Sequence, residues 1–182
     1  QQHRPAAARP VPAEQAHVSA DFVRDGTRLA VAEMLLAGTT TFSDMYFFPD
    51  VAADVAFEAG LRCQLTCPVF DFPSAWGSGP DEYISKALAL RDDCRSRDRI
   101  DVAFGPHAPY TVSLGALEKI ATYANELDMA VHIHLHETAG EDLSRLPDIG
   151  ADLADQVRTL LETGSLPQLE EAEERTPPGL ST

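Results

Sequence analysis

Basic side chains are scarce in this chain of 182 residues: 14 Lys plus Arg stand against 29 Asp plus Glu, a formal charge of −15. A surface so acidic repels phosphate backbones and anionic lipid, so neither nucleic acid nor a membrane surface is expected as a partner. Long apolar runs are missing too. None reaches the roughly 18 to 20 residues that cross a bilayer, and the N-terminus lacks the basic-then-apolar pattern of a signal peptide, so a cytoplasmic protein is expected. Cysteine is limited to Cys63, Cys67 and Cys94, an odd number without CxxC spacing, which argues against a disulfide framework and a thiolate zinc knuckle. Within an apolar strand-like run, Cys63 and Cys67 read as small core residues. What is present suffices to fold, because 44% hydrophobic residues can bury one ordinary core.

Residues 1–16 carry three prolines without periodicity and read as an irregular arm. From Asp21 to Ala37 apolar residues recur at helical spacing, with Ser19 as N-cap and Gly38 as the stop. Thr39 to Met45, rich in β-branched and aromatic residues, reads as a strand, and Val51 to Ala59 as a helix closed by Gly60. The alternation then repeats: strand Arg62 to Phe70, helix Asp81 to Cys94, strand Ile100 to Gly105, a helix capped by Ser113 and running to Leu127, and a fourth strand from Ala130 to His136. Strands alternating with helices through short connections must lie parallel, since each helix carries the chain back. The class is α/β. From residue 141 onward the composition shifts, with ten acidic and three basic side chains. Residues 142–182 are expected to form one short helix and then a disordered acidic tail.

The chemistry concentrates in Val131-His132-Ile133-His134-Leu135-His136-Glu137. In a strand the three histidines share one face and Val131, Ile133 and Leu135 the other. A parallel strand covered on both sides normally reads as a continuous apolar run, so an imidazole face calls for partners: hydrogen bonds, metal or substrate. In parallel α/β folds ligand sites lie beyond the carboxyl ends of the strands, where His134, His136 and Glu137 fall. Neutral imidazole is a preferred zinc ligand, and a nearby carboxylate can move a proton from metal-bound water to a leaving group, so the set suits hydrolysis. His107, in the turn Gly105-Pro106-His107-Ala108-Pro109-Tyr110, is stiffened by two prolines and sits at the same rim as His134. Asp44-Met45-Tyr46-Phe47-Phe48 and Asp71-Phe72-Pro73 read as loop walls, and His3 and His17 as exposed.

The segments Ala32-Glu33-Met34-Leu35, Gly38-Thr39-Thr40, Asp44-Met45-Tyr46-Phe47, Gly105 to Tyr110 and His134-Leu135-His136-Glu137-Thr138 resemble the amidohydrolase superfamily. Within it, the resemblance is to the 5-methylthioadenosine/S-adenosylhomocysteine deaminase branch, grouped with the triazine chlorohydrolase-like enzymes. It implies a metal-bearing TIM (β/α)8 barrel of which residues 17–141 supply about four β/α units, strands two to five. It implies zinc, or another divalent metal, as cofactor, with His134 as a ligand and Glu137 as the proton shuttle that also contacts substrate. It further implies that His107 contacts substrate and that Glu14 binds ribose hydroxyls of a purine nucleoside. His132 and His136 receive no role from it.

The departures define the alternatives. The family's His-x-His pair on its first strand, its histidine after the sixth strand and its aspartate ending the eighth have no counterpart, so the ligand set is incomplete and metal binding by this chain alone is expected to be weak. No arginine stands between Pro68 and Asp81 to match one that some members use on substrate. Four strands leave two open edges that favour self-association. Besides the deaminase, the readings kept open are a triazine- or guanine-type hydrolase, an inactive half-barrel or interaction module, and a flavodoxin-like sheet, which lacks its glycine-rich phosphate loop.

Overall fold

The computed structural model describes residues 14, 16–135 and 137. The chain divides into two compact units, Gln1–His134 and Leu135–Thr182. Leu135 and Glu137 alone are described in the second, so the expected acidic tail lies outside the described residues, as do His3 and His136.

Among the described residues seven elements follow in order: α1 (Ala20–Leu36), β1 (Thr41–Asp44), α2 (Pro49–Ala59), β2 (Arg62–Val69), α3 (Pro80–Asp93), β3 (Ile100–Pro106) and α4 (Leu114–Leu127). Their ends have local causes. Ser19 caps α1, its hydroxyl accepting from the Phe22 N–H at 3.2 Å. Gly60 ends α2 in the left-handed region at φ 79°, where a side chain would be strained. Proline opens α2 and α3, its missing N–H being one that the first turn leaves unpaired in any case. Two expectations need correcting here. The N-terminal arm is not irregular throughout, since Glu14, Ala16 and His17 are helical and the Val18 N–H donates to the Glu14 carbonyl at 2.9 Å. Ser113 occupies the N-cap of α4 but makes no capping bond; its hydroxyl donates to Asp71 at 3.1 Å.

The three strands are parallel in the order β1-β2-β3, with Phe42 beside Cys63 and Cys67 beside Phe104. Alternation gives the sheet two characters. Cys63, Leu65, Cys67, Val69, Val102 and Phe104 share one core with Ala52 and Ala56 of α2, Ile84 and Ala87 of α3 and Ile120 of α4. The opposite face carries Ser43, Gln64, Thr66, Ala103 and Gly105. Sequential strand order with every crossover helix on one face is the winding of a barrel wall; a flavodoxin-like sheet would be covered on both faces.

The expected fourth strand is reduced to one parallel bridge, Phe104 with Val131. The Phe104 N–H donates to the Ala130 carbonyl and the His132 N–H to the Phe104 carbonyl, both at 2.9 Å. The next rung would need an N–H at Pro106, which has none. The ladder therefore breaks, and the His134 N–H donates instead to the His107 carbonyl at 3.0 Å.

Candidate functional site

At the carboxyl ends of the strands lies a cavity of about 300 Å³. Each wall comes from the segment that leaves a strand. Beyond β1, Met45, Tyr46 and Phe47 line it, and Phe48 turns the chain through the left-handed region (φ 56°, ψ 51°) directly into Pro49 of α2. Beyond β2 come Phe70 and the loop from Phe72 to Ala75; beyond β3, His107; and His134 follows the broken rung. Glu14 and Val18 close the cavity from the N-terminal helical turn.

The rings form a continuous path. His134 and His107 have centroids 5.3 Å apart at 79°, His107 and Phe70 5.0 Å at 35°, and Phe70 and Phe72 4.9 Å. Phe47 lies 6.0 Å from Phe70 and 5.2 Å from Tyr46. The Tyr46 hydroxyl donates to Glu14 Oε1 at 2.5 Å. Burial, and then the Glu14 carboxylate, hold that phenol well above its usual range, so Tyr46 stays a donor at any working pH.

Two of the imidazoles have a hydrogen-bonding contact. Thr111 Oγ1 accepts from the Ala108 N–H and donates to the Ala108 carbonyl, both at 3.1 Å. With its proton directed there, Thr111 Oγ1 is placed to accept from His107 Nδ1, 3.0 Å away. His132 turns onto the barrel-side face, its Nδ1 3.3 Å from Thr66 Oγ1. Thr66 is the buried polar side chain among the described residues. Hydrogen bonding thus accounts for His132, whereas His134 faces the cavity.

The structure brings Glu14, His107 and His134 to one cavity. Glu137 belongs to the second unit, where its side chain is exposed. Met45, Tyr46, Phe47, Phe72 and Pro73 are cavity walls, the role expected for both loops. Thr66 and Thr111, which contact His132 and His107, are missed by sequence reasoning. Thr66 has one signal, a lone hydroxyl in a buried apolar run; Thr111 has none. Among the described residues no group of three His, Cys, Asp or Glu side chains could hold a metal ion. A catalytic zinc takes three protein ligands, so these residues do not make one by themselves and His134 offers a single imidazole.

The amidohydrolase family pattern matches residues 4–166. The chain belongs to the amidohydrolase family. It is 52% identical over 158 residues to a 5-methylthioadenosine/S-adenosylhomocysteine deaminase of Saccharophagus degradans, a match covering 87% of this chain and 35% of that protein. A 5′-deoxyadenosine deaminase of Methanoregula boonei is 43% identical over 127 residues, 70% of this chain and 29% of its own length. An adenosine deaminase from Xanthomonas campestris, solved with bound zinc, superposes with a TM-score of 0.70 at 39% identity over 90% of this chain and 34% of that one. The amidohydrolase chain described here therefore spans about a third of the length of the curated relatives it matches. Its three strands and their helices are part of the family's TIM barrel.

Proposed function

We propose that this chain forms the nucleoside-binding side of a metal-dependent aminohydrolase that deaminates an adenosine-type thioether such as methylthioadenosine or S-adenosylhomocysteine. One observation carries the reading: Glu14, His107 and His134, drawn from three separate segments, line a single cavity with an aromatic wall. Aromatic faces take a purine, the Glu14 carboxylate accepts from ribose hydroxyls while Tyr46 holds it in place, and His107 hydrogen-bonds the base. His134 is proposed as one ligand of a divalent metal, zinc by analogy with the Xanthomonas campestris structure, the other ligands lying outside the described residues. Such a metal supplies an activated water. Glu137 is proposed as the carboxylate that would hold a proton and pass it to the departing amino group. The substrate is a small molecule in a cytoplasmic enzyme, without nucleic acid or membrane as partner.

The test places residues 14–141 into the corresponding stretch of the Saccharophagus degradans relative and follows ammonia release from methylthioadenosine. Turnover is expected, and Glu137→Gln should lower kcat by about 10²- to 10⁴-fold with metal content unchanged. Undiminished turnover in that variant would remove the assigned role. A barrel that folds, holds metal and releases no ammonia would favour the inactive half-barrel.

A further inference from the structure

The segment that brings His134 to the cavity is loosely tied by its backbone. β2 and β3 pair continuously from Cys63 beside Ile100 to Val69 beside Pro106. The chain after Ala130 has the bridge of Phe104 with Val131 and then leaves the ladder at Pro106. Burial adds little on the helix side, where Val131 is exposed. In a strand held this way register is weakly specified, and a slip of one residue turns every side chain to the opposite face. Such a slip would carry the His134 ring away from the cavity and present Ile133 or Leu135 there instead.

A side chain from two strands away supplies the missing constraint. Thr66 projects from the middle of β2 onto the barrel-side face, is fully buried, and has its Oγ1 3.3 Å from His132 Nδ1. Between them runs β3, which places Ala103 beside Thr66 and Gly105 two residues on. A Cβ at Gly105 would stand 2.7 Å from the Thr66 methyl, so the hydroxyl and the imidazole meet over a strand kept bare at this point. In the slipped register Val131 or Ile133 would face Thr66, and neither offers a hydrogen-bonding side chain to a hydroxyl that is out of reach of water. Backbone bonds do not distinguish the two registers, because any residue but proline can make them. The hydrogen bond to His132 does. His134, two residues further on, shares the face of His132 by alternation, and their rings lie 5.8 Å apart at 71°. The His134 ring in turn stands 5.3 Å from that of His107.

Resting on the reading of His134 as a cavity residue, we infer that Thr66 and His132 are positioning residues: their hydrogen bond pins the register of the segment after Ala130 and so directs the His134 imidazole into the cavity. Neither side chain lines the cavity itself. Both act through the placement of His134.

Amide exchange and ring contacts, followed by NMR on the whole chain, test this. Thr66→Val keeps the shape and removes the hydroxyl; Thr66→Ser keeps the hydroxyl. In Thr66→Val the His132 and His134 N–H groups, which donate to the Phe104 and His107 carbonyls, should exchange roughly three- to tenfold faster, the effect of one lost hydrogen bond on a local opening. The Cys63 N–H, bonded to the Arg99 carbonyl at the start of β2, should keep its rate. The nuclear Overhauser contact between the His134 and His107 rings should weaken in the same variant, and Thr66→Ser should hold both readouts at the values of the unaltered chain. His132→Phe, which keeps a ring and loses Nδ1, should match Thr66→Val and serves if that variant does not fold. Unchanged exchange and ring contact, an equal rise at Cys63, or a serine variant that behaves like the valine one overturns the inference. So does a failure of both Thr66→Val and His132→Phe to fold, since a pin on this segment leaves the core between β2 and β3 intact. Failure of the proposed function shows instead as absent ammonia release, with these exchange rates unaffected.

Discussion

A single methyl group at position 105 would lie 2.7 Å from Thr66 Cγ2 and 2.9 Å from the Cys67 carbonyl oxygen. One of these neighbours is backbone inside a three-stranded sheet and cannot retreat. Gly105→Ala should therefore destabilise the fold by about 1–3 kcal/mol, the range of overpacking in a filled core, seen as a lower urea midpoint at unchanged m-value. An unchanged midpoint would mean that β2 and β3 are not packed as described. The same glycine serves the site. Thr66 and His132 stand on opposite sides of β3, about 10 Å apart along the backbone spacing of two strand intervals. Their side chains meet at 3.3 Å because Ala103 and Gly105 leave the space above β3 open. An alanine there would push on the hydroxyl's neighbour and on the orientation of His132 together.

The elements differ in how much of their behaviour lies in local sequence. Gly26 sits inside α1 with nothing within 4 Å of a Cβ placed on it and without a positive φ. There the only effect of alanine is on backbone freedom and helix propensity, so Gly26→Ala should stabilise by about 0.5–1 kcal/mol, read as a higher thermal midpoint. A fall would show that α1 is not a regular helix at that point. This locality is why the helices are legible in the chain: the apolar spacing of α1, the Ser19 cap and the Gly60 stop all act within a few residues. Strand ends were legible to within a residue or two for the same reason. The segment after Ala130 was not, because its pairing fails on a proline in another strand, Pro106. Ser113 was read as a cap from its position, yet Asp71, 42 residues away, takes its hydroxyl. The candidate site divides likewise. His107 and His134 announce themselves as loop-end imidazoles, while the contacts that fix the site, Thr66 to His132 and Tyr46 to Glu14, span 66 and 32 residues and leave no periodic trace.

For the molecule as a whole, the scarcity of basic side chains and the buried thiols have separable consequences above neutral pH. Cys63, Cys67 and Cys94 are all buried, and burial raises each thiol's pKa, that of Cys63 to about 12 from an ordinary 9.0. Below pH 9 the thiols are protonated whether the chain is folded or not, and they add no pH dependence. Between about 9 and 12 the unfolded chain sheds thiol protons that the folded chain keeps. The unfolded state then binds fewer protons, so stability falls as pH rises through this window. Burial raises Tyr46 and Tyr83 in the same sense. Self-repulsion of a chain already at −15 would also weaken the fold as further groups ionise, but it acts through solvent and is screened at about 0.5 M salt, where the Debye length is only a few ångströms. Desolvation of a thiol is not screened. The urea midpoint measured in such salt is therefore expected to fall between pH 8 and pH 10.5, and the triple Cys→Ala chain to fall less over the same interval. A midpoint that stays level in high salt, or a slope that the triple variant retains in full, would show that the thiols are not held protonated by the core between β2, β3 and their helices.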